Sequence, residues 1–538
     1  MTPTGEAPGG RRTRYRFGPL ERRGLIAGWR GGQIAVVAGG VMAAIVVLRQ
    51  RPTLPAIAIA LVAVALCVAA AWWPIAGRTA EQWLPTVVRW GASGAGGGRR
   101  RHAGIDKRGH CLGPDGAPCL AGVLARNPLP PGDHAAGNLR ANGARDARQR
   151  AGGRAASGSA SGRRGVFAGL HVLGFDVREG QETAAVVYDE RSRTYTAVLE
   201  LLGHSFALLS GEEKERRVAS WSSVLSSLAR ERSVVHRVQW LAATVPDDGA
   251  AVRDHLATRA AMPEDAAARR SYAALLRGAG GETCRHDVHL AVQLRATGAA
   301  ARAMRSMGGG ERAACVLLAR EVASLRQQLA SADVPVERVL DERALAALVR
   351  RSVDAEARGG RGCPPCGVAW PWPLVTEAEW GALRADGSWH STYWIAEWPR
   401  VDVGPEFLSP LLLGSVRRTV AVVMEPLSPA RAVRQTERAR TADVADAELR
   451  RRGGFLATAR RAREAEVAVR REEELADGHA SLRFSGYVSV SAPSREQLAA
   501  ACDSTEHAAS QCRLELRRLY GDQEEAFTCT LPLARGLG

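Results

Sequence analysis

Two uncharged apolar runs near the amino terminus form the strongest pattern in the chain. They cover residues 31–48 and 54–73, and only five residues separate them. A helix that crosses a bilayer needs about 20 apolar residues, and the second run has that length. We therefore predict a two-helix transmembrane hairpin over residues 31–74, with Trp29, Trp72 and Trp73 at the headgroup level, where indole rings concentrate.

Arginines flank the predicted hairpin on both sides, whereas only Arg49 and Arg51 lie in its turn. Basic flanks stay on the cytoplasmic side of a membrane. We therefore expect a multi-pass protein of the inner (plasma) membrane with both termini in the cytoplasm, and residues 1–30 as a basic cytoplasmic segment. Clustered arginines beside a membrane also make anionic lipid an expected partner.

The next segment, residues 75–90, has an amphipathic pattern. Thr79 begins a capping-box sequence, and Trp83 and Trp90 follow among apolar residues. This pattern predicts a helix that lies at the membrane interface. Residues 91–164 are rich in Gly, Ala, Arg and Pro and contain no aromatic residue, so we predict a disordered linker, because such a composition buries too little apolar surface to fold.

Strand-like and helix-like patterns alternate through the rest of the chain. We predict an α+β fold class with two ferredoxin-like cytoplasmic units, residues 165–360 and 376–538, the second with a long helical insertion. Capping boxes predict helix starts at three positions, and the run AFTCTLPL near the carboxyl end predicts a final strand. The three predicted starts are Ser210, Thr376 and Ser494.

The net charge of +17 lies almost entirely in the amino-terminal third of the chain. Residues 1–164 carry 24 basic and 7 acidic side chains, and residues 165–538 carry 49 of each. The predicted folded units are therefore balanced in charge. We expect no direct binding of nucleic acid, because that function depends on a basic surface of the folded domain.

Two lysines exclude one class of enzyme. A P-loop requires a lysine directly after glycine, since that lysine reaches the phosphates of the nucleotide. Lys107 follows Asp106 and Lys214 follows Glu213, and the chain has no other lysine. The chain is therefore not a P-loop ATPase by itself.

A Cys-x-x-Cys sequence lies in the Cys/Pro-rich segment 361–375, as Cys363 and Cys366. A structural zinc site needs four ligands, usually from two such pairs, and a redox motif needs a thioredoxin-like setting. The sequence supplies neither, so the role of these two cysteines stays open.

The segment Cys284-x-His286-x-x-His289 is the other candidate for metal binding. Side chains alternate between the faces of a strand, so His289 is expected on the face opposite Cys284 and His286. We therefore predict no metal site, no cofactor and no catalytic residue in this chain.

Five segments together resemble a known family. They are YRFGPLERRG, RTAEQWLP, VVMEPLSPARAVR, REEELADGHASLRFSGYVSVSA and LELRRLYGDQEEAFTCTLPLARGL. They are similar to an actinobacterial integral membrane protein family from conjugative, type IV secretion-like loci. In that resemblance the hairpin is PrgI-like, and the carboxy-terminal half is similar to the non-catalytic amino-terminal domain of the type IV secretion ATPase.

The resemblance implies a non-enzymatic scaffold of a conjugative DNA or protein transfer machine, which docks a separate P-loop ATPase and other membrane subunits. Two alternatives stay open: the membrane subunit of a type VII secretion apparatus, and a membrane-tethered enzyme with an unrecognised site. Aromatic residues often anchor interfaces, and five in the second unit are the predicted docking residues: Trp398, Phe484, Tyr487, Tyr520 and Phe527.

Overall fold

The structure is a computed structural model that describes most of the chain outside its basic segments. The described residues are 31–50, 53–72, 80–95, 100–102, 165–178, 182–202, 206–246, 266–279, 284–354, 371–401, 403–452 and 480–537, with a few isolated positions. The predicted basic segment 1–30, most of the predicted linker 91–164, and Cys363 and Cys366 lie outside the described residues.

Thirteen strands of the described residues form one antiparallel sheet. Their spatial order is β1-β8-β9-β10-β12-β11-β5-β6-β4-β3-β2, and β13 and β7 add to the edges of β10 and β4. Strand β1, Arg100–His102, lies within the predicted linker and pairs with β8. The other strands are β2 Leu170–Arg178, β3 Glu182–Asp189, β4 Thr194–Leu201, β5 Val235–Pro246, β6 Cys284–Arg295, β7 Val336–Val339, β8 Val375–Ala378, β9 Leu383–Ala385, β10 Ser388–Glu397, β11 Arg418–Leu427, β12 Ser481–Ala492 and β13 Glu515–Arg518.

Twelve α-helices occur in the described part of the chain. They are α1 Gly31–Gln50, α2 Leu54–Trp72, α3 Ala80–Ala95, α4 Gly211–Leu228, α5 Ala267–Ala279, α6 Gly298–Ser306, α7 Gly310–Ser331, α8 Glu342–Val353, α9 Ser409–Leu412, α10 Pro429–Arg452, α11 Arg495–Gln511 and α12 Gln523–Thr528.

The predicted helix start at Ser210 is confirmed, because the Ser210 hydroxyl accepts the Glu213 amide and the Glu213 carboxylate accepts the Ser210 amide. Ser494 likewise caps α11. The prediction at Thr376 is wrong, because Thr376 lies inside strand β8. Its backbone pairs with β9 and β1 instead of turning into a helix.

The same connectivity occurs twice along the chain. The first half runs β4-α4-β5-β6-α7-β7, and the second runs β10-α9-β11-β12-α11-β13. In each half the last strand returns to pair with the first, which also pairs with the third. The two halves are therefore repeats of one βαββαβ arrangement.

The two halves share one sheet because β5 pairs with β11. The ladder joins Thr244–Val238 of the first half to Arg418–Met424 of the second. The predicted fold class, an α+β chain with a transmembrane hairpin followed by two ferredoxin-like units, is wrong, because the strands of both halves form one large sheet and no described helix can cross a membrane. Each half presents a long edge strand, and each covers the exposed backbone groups of the other.

Both faces of the sheet are covered. On one face α4 and α7 pack over the first half, with Leu318 and Val322 in that core, and α11 packs over the second half. On the other face α8 and α12 share a single core that spans both halves. Strand β6 contributes to the cores on both faces. Leu290 and Val292 belong to the core beneath α4 and α7, and Ala291 belongs to the shared core beneath α8 and α12.

The carboxy-terminal segment, residues 529–537, lies on the shared face and is not a strand. The Gln239 side-chain amide donates to the Cys529 carbonyl at 2.8 Å, and its oxygen accepts the Ala534 amide at 2.7 Å. Gln293 donates to the Leu533 carbonyl at 2.8 Å. The predicted final strand is wrong, because α12 and turns replace it and buried glutamines satisfy its backbone groups.

Helices α1 and α2 correspond to the two apolar runs and contact each other. Across the described residues, however, no helix has both the length and the apolar character that a membrane crossing requires. The predictions of a transmembrane hairpin and of a multi-pass inner-membrane location are therefore wrong.

Replacing Phe527 by Ala should destabilise the fold strongly. Phe527 is 2 % exposed and its ring lies 4.4 Å from that of His390, centroid to centroid. Loss of a buried phenyl ring costs about 3–5 kcal/mol, so denaturant unfolding should show a decrease of that size. Phe484→Ala is the control, since Phe484 is 42 % exposed and should cost about 1 kcal/mol. Equal losses for both variants would contradict the burial of Phe527.

Replacing Arg535 by Gln should destabilise the fold in a pH-dependent way. Arg535 donates to Asp189 at 2.7 Å. Burial by itself raises the pKa of Asp189, but the hydrogen bond and charge of Arg535 outweigh it, so that pKa lies below its usual value. The pair therefore stabilises the fold above about pH 3.9, and this contribution disappears as the pH falls through the lowered pKa.

The variant should lose about 1.5 kcal/mol of unfolding free energy at pH 7. Urea unfolding of both proteins across an acid series measures the difference, which should shrink as Asp189 becomes protonated. A difference that stays constant down to the acid limit of the folded state would contradict the pairing.

Candidate ligand pocket

A polar pocket lies beside α8 on the shared face of the sheet. Its volume is about 250 Å³. Strands β4, β6 and β7 and the first three turns of α8 supply its walls. The lining residues are Glu200, His289, Arg338, Leu340, Asp341, Arg343, Ala344, Ala347 and Arg351.

Strand register places three polar residues in a row across the floor of the pocket. Arg338 of β7 lies opposite Glu200 of β4, and Glu200 lies opposite His289 of β6. The Arg338 Nε donates to Glu200 Oε2 at 2.7 Å. This hydrogen bond raises the pKa of Arg338, and it leaves the Glu200 carboxylate already neutralised.

His289 is 2 % exposed, and burial lowers the pKa of its ring. The imidazole is therefore neutral near pH 7, with one N–H donor and one acceptor nitrogen. Among the described residues, neither ring nitrogen has a hydrogen-bond partner. Buried polar groups are normally paired, so His289 offers an unused donor to whatever enters the pocket.

The other two members of the cysteine–histidine segment lie away from His289. His286 contacts Thr244, whose hydroxyl is 3.3 Å from the ring, and Cys284 donates weakly to the Ser415 carbonyl. In the described part of the chain, no group of three metal-binding side chains lies close together. The pocket is therefore not built like a metal site.

Arg351 ends the row of pocket residues along α8. Burial lowers the pKa of its guanidinium, against the opposing effect of Asp287, although the group stays charged because arginine is never deprotonated in proteins. Among the described residues, the Arg351 side chain makes no ion pair or hydrogen bond. Arg417 donates to the Arg351 and Asp354 carbonyls, which fixes the end of the helix that carries Arg351.

The start of α8 is fixed as firmly as its end. The Asp341 carboxylate accepts the Ala344 amide at 2.7 Å, and Leu345 and Val349 are fully buried in the shared core. Arg343 projects from the first turn at the rim of the pocket and is exposed. Two arginines, Arg343 and Arg351, therefore remain available on a rigid helix, whereas both carboxylates of the pocket are engaged.

The equivalent position in the second half is closed. Arg517 of β13 lies opposite Trp394 of β10, which lies opposite Tyr487 of β12. These residues lie on the strands of the second half that correspond to the strands of Arg338, Glu200 and His289. The Tyr487 hydroxyl donates to the Gly536 carbonyl, so the chain's own carboxy-terminal segment occupies the site where the first half has its pocket.

The aromatic residues predicted to face a membrane pack elsewhere or lie outside the described residues. Trp83 of α3 stacks on Trp380, with centroids 5.5 Å apart, and Trp90 meets the same ring edge-on at 5.6 Å. Trp72 lies in α2, although its side chain is not described, and Trp29 and Trp73 lie outside the described residues.

The five predicted docking residues do not form one surface. Phe527 and Tyr487 are buried beneath the chain itself, and Tyr520 packs against Trp380 near α3. Trp398 and Phe484 meet edge-on, with centroids 5.4 Å apart, and Phe484 is partly exposed. Whether any of them contacts a partner stays a prediction.

Sequence reasoning missed most of the pocket. The sequence presents His289 as a candidate metal ligand on a strand and not as part of a pocket, and it gives no sign that Glu200, Arg338, Arg343 and Arg351 meet around that histidine. The spacing of Arg343, Ala344, Ala347 and Arg351 indicates that these residues lie near one face of a helix. The spacing does not identify the strands against which that face packs.

Comparison with known proteins gives one family. Residues 282–395 match the model of EccE, described as a putative type VII ESX secretion system translocon. No curated protein matches the chain. The matched segment covers about a fifth of the 538 residues, runs from β6 to β10, and contains every pocket residue except Glu200. The match supports a relation to a secretion-system membrane family and gives no support to the type IV resemblance.

Proposed function

We propose that this chain is a non-enzymatic subunit of a type VII secretion apparatus, in which it holds other subunits of the apparatus together. The observation that carries this proposal is the EccE match over residues 282–395. That segment includes the last strands of the first half and the first strands of the second. It therefore supplies strands of both halves of the sheet.

The chemistry of the described residues agrees with a binding role. The pocket beside α8 contains arginines, a neutral histidine and two engaged carboxylates, and it presents no nucleophile next to a general base. Lys214 of α4, one of the two lysines in the chain, forms an ion pair with Glu406. These features favour recognition over catalysis.

A secretion machine needs a source of energy, and this sequence has no P-loop. A separate P-loop ATPase therefore remains the proposed motor partner, alongside the other membrane subunits of the apparatus. Binding of anionic lipid, expected from the excess of basic residues over 1–164, stays a prediction.

Deleting the gene in the native host should abolish export of small WxG-type proteins, the substrates that distinguish type VII from type IV machines. Mass spectrometry of the culture medium should show a drop of about tenfold or more, and the full-length gene supplied in trans should restore export. A tagged full-length chain purified in mild detergent should recover type VII subunits and a P-loop ATPase. Recovery of a relaxase and a coupling ATPase, with unchanged WxG-protein export, would overturn the proposal.

The purified full-length chain should hydrolyse no ATP. Its rate in a coupled assay should equal that of a Lys214→Ala variant, because Lys214 follows Glu213 and serves an ion pair. The matched control is Lys107→Ala, which removes the other lysine. A rate that co-elutes with the protein and falls in either variant would show that the chain has an active site of its own.

A further inference from the structure

We propose that the pocket beside α8 is a binding site for a phosphate group, held by Arg351 and Arg343 and by the N–H of His289. This inference concerns the purified chain and does not depend on the proposed secretion role.

The charges of the pocket select an anion. Arg338 and Glu200 neutralise each other at 2.7 Å, and Asp341 is committed to the Ala344 amide. Arg343 and Arg351 are left as positive charges without an ion-pair partner among the described residues. A guanidinium presents parallel N–H donors that match the oxygens of a phosphate.

His289 supplies the second, independent indication. His289 is 2 % exposed, lines the pocket and makes no side-chain hydrogen bond within the described part of the chain, so its ring N–H is available to a ligand. Because burial lowers its pKa, it acts as a neutral donor and adds no charge of its own. The phosphate oxygens would accept both this N–H and the guanidinium N–H groups.

The volume of the pocket suits a small ligand. At about 250 Å³, it lies below the range of roughly 300–1,000 Å³ that is typical of pockets for drug-sized molecules, and a phosphate group with a short ester chain fits it. The ligand class that we test is therefore a small phosphomonoester or the phosphate headgroup of a lipid.

The second half of the fold provides an internal comparison. On the corresponding strands, Trp394 lies opposite Tyr487 as Glu200 lies opposite His289, and the carboxy-terminal segment binds Tyr487. In the first half, by contrast, a polar pocket lies beside α8.

Isothermal titration calorimetry of the full-length chain with inorganic phosphate tests the site. We expect saturable binding to one site, weakened about tenfold or more by Arg351→Gln. The matched control is Arg517→Gln, which removes the arginine of the second half and should leave binding unchanged. Arg343→Gln changes an exposed residue, should also weaken binding, and is the second variant if Arg351→Gln does not fold by circular dichroism.

Two further arms identify the source of the phosphate. Glycerol 3-phosphate tests a soluble ester, and sedimentation with vesicles of phosphatidylcholine containing phosphatidic acid tests a lipid headgroup. Binding in either arm that Arg351→Gln weakens and Arg517→Gln does not would support the proposal and assign the source. The absence of saturable binding in every arm, or equal weakening by both variants, would overturn it.

Discussion

The pairing of β5 with β11 is the interaction on which the rest of the structure depends. It joins two βαββαβ halves into one sheet and places Leu241 beside Ala421 at the junction. Because side chains on one face of a sheet point the same way, the pairing also creates one continuous apolar face across both halves. The shared core, with α8 from one half and α12 from the other, has no other surface on which to form.

The carboxy-terminal segment stabilises the same junction by a different chemistry. Two buried glutamines of adjacent strands, Gln239 and Gln293, bind its backbone as a neighbouring strand would. Farther along, Arg237 donates to the Ala534 and Leu537 carbonyls. Since each of these strand residues belongs to the first half, the end of the second half is bound across the junction, and the halves depend on each other.

The repeat also explains where a binding site can arise. In each half, a helix covers one face of three adjacent strands, and this helix directly follows the last strand of the repeat. The helix is α8 after β7 in the first half and α12 after β13 in the second. Helix α8 has 12 residues. The face of α8 that carries Ala344, Ala347 and Arg351 lines the pocket. Helix α12 has only six residues, and the tail that follows it fills the corresponding space. A difference in helix length thus separates an open pocket from a closed one.

The sequence by itself determined the local elements. The helix starts at Ser210 and Ser494 follow from short-range hydrogen bonding between a cap side chain and the first turn. Alternation also placed His289 on the face opposite His286, which the register confirms.

Only the tertiary structure decided which strands are neighbours. Nothing local in β5 or β11 identifies its partner, since every long edge strand offers the same backbone groups, so two units were predicted where one sheet exists. The final apolar run is compatible with a strand, but the side chains that bind its backbone lie more than 200 residues away. The pocket required the same knowledge, because Arg351 and His289 come from different elements that meet only when α8 packs on the completed sheet.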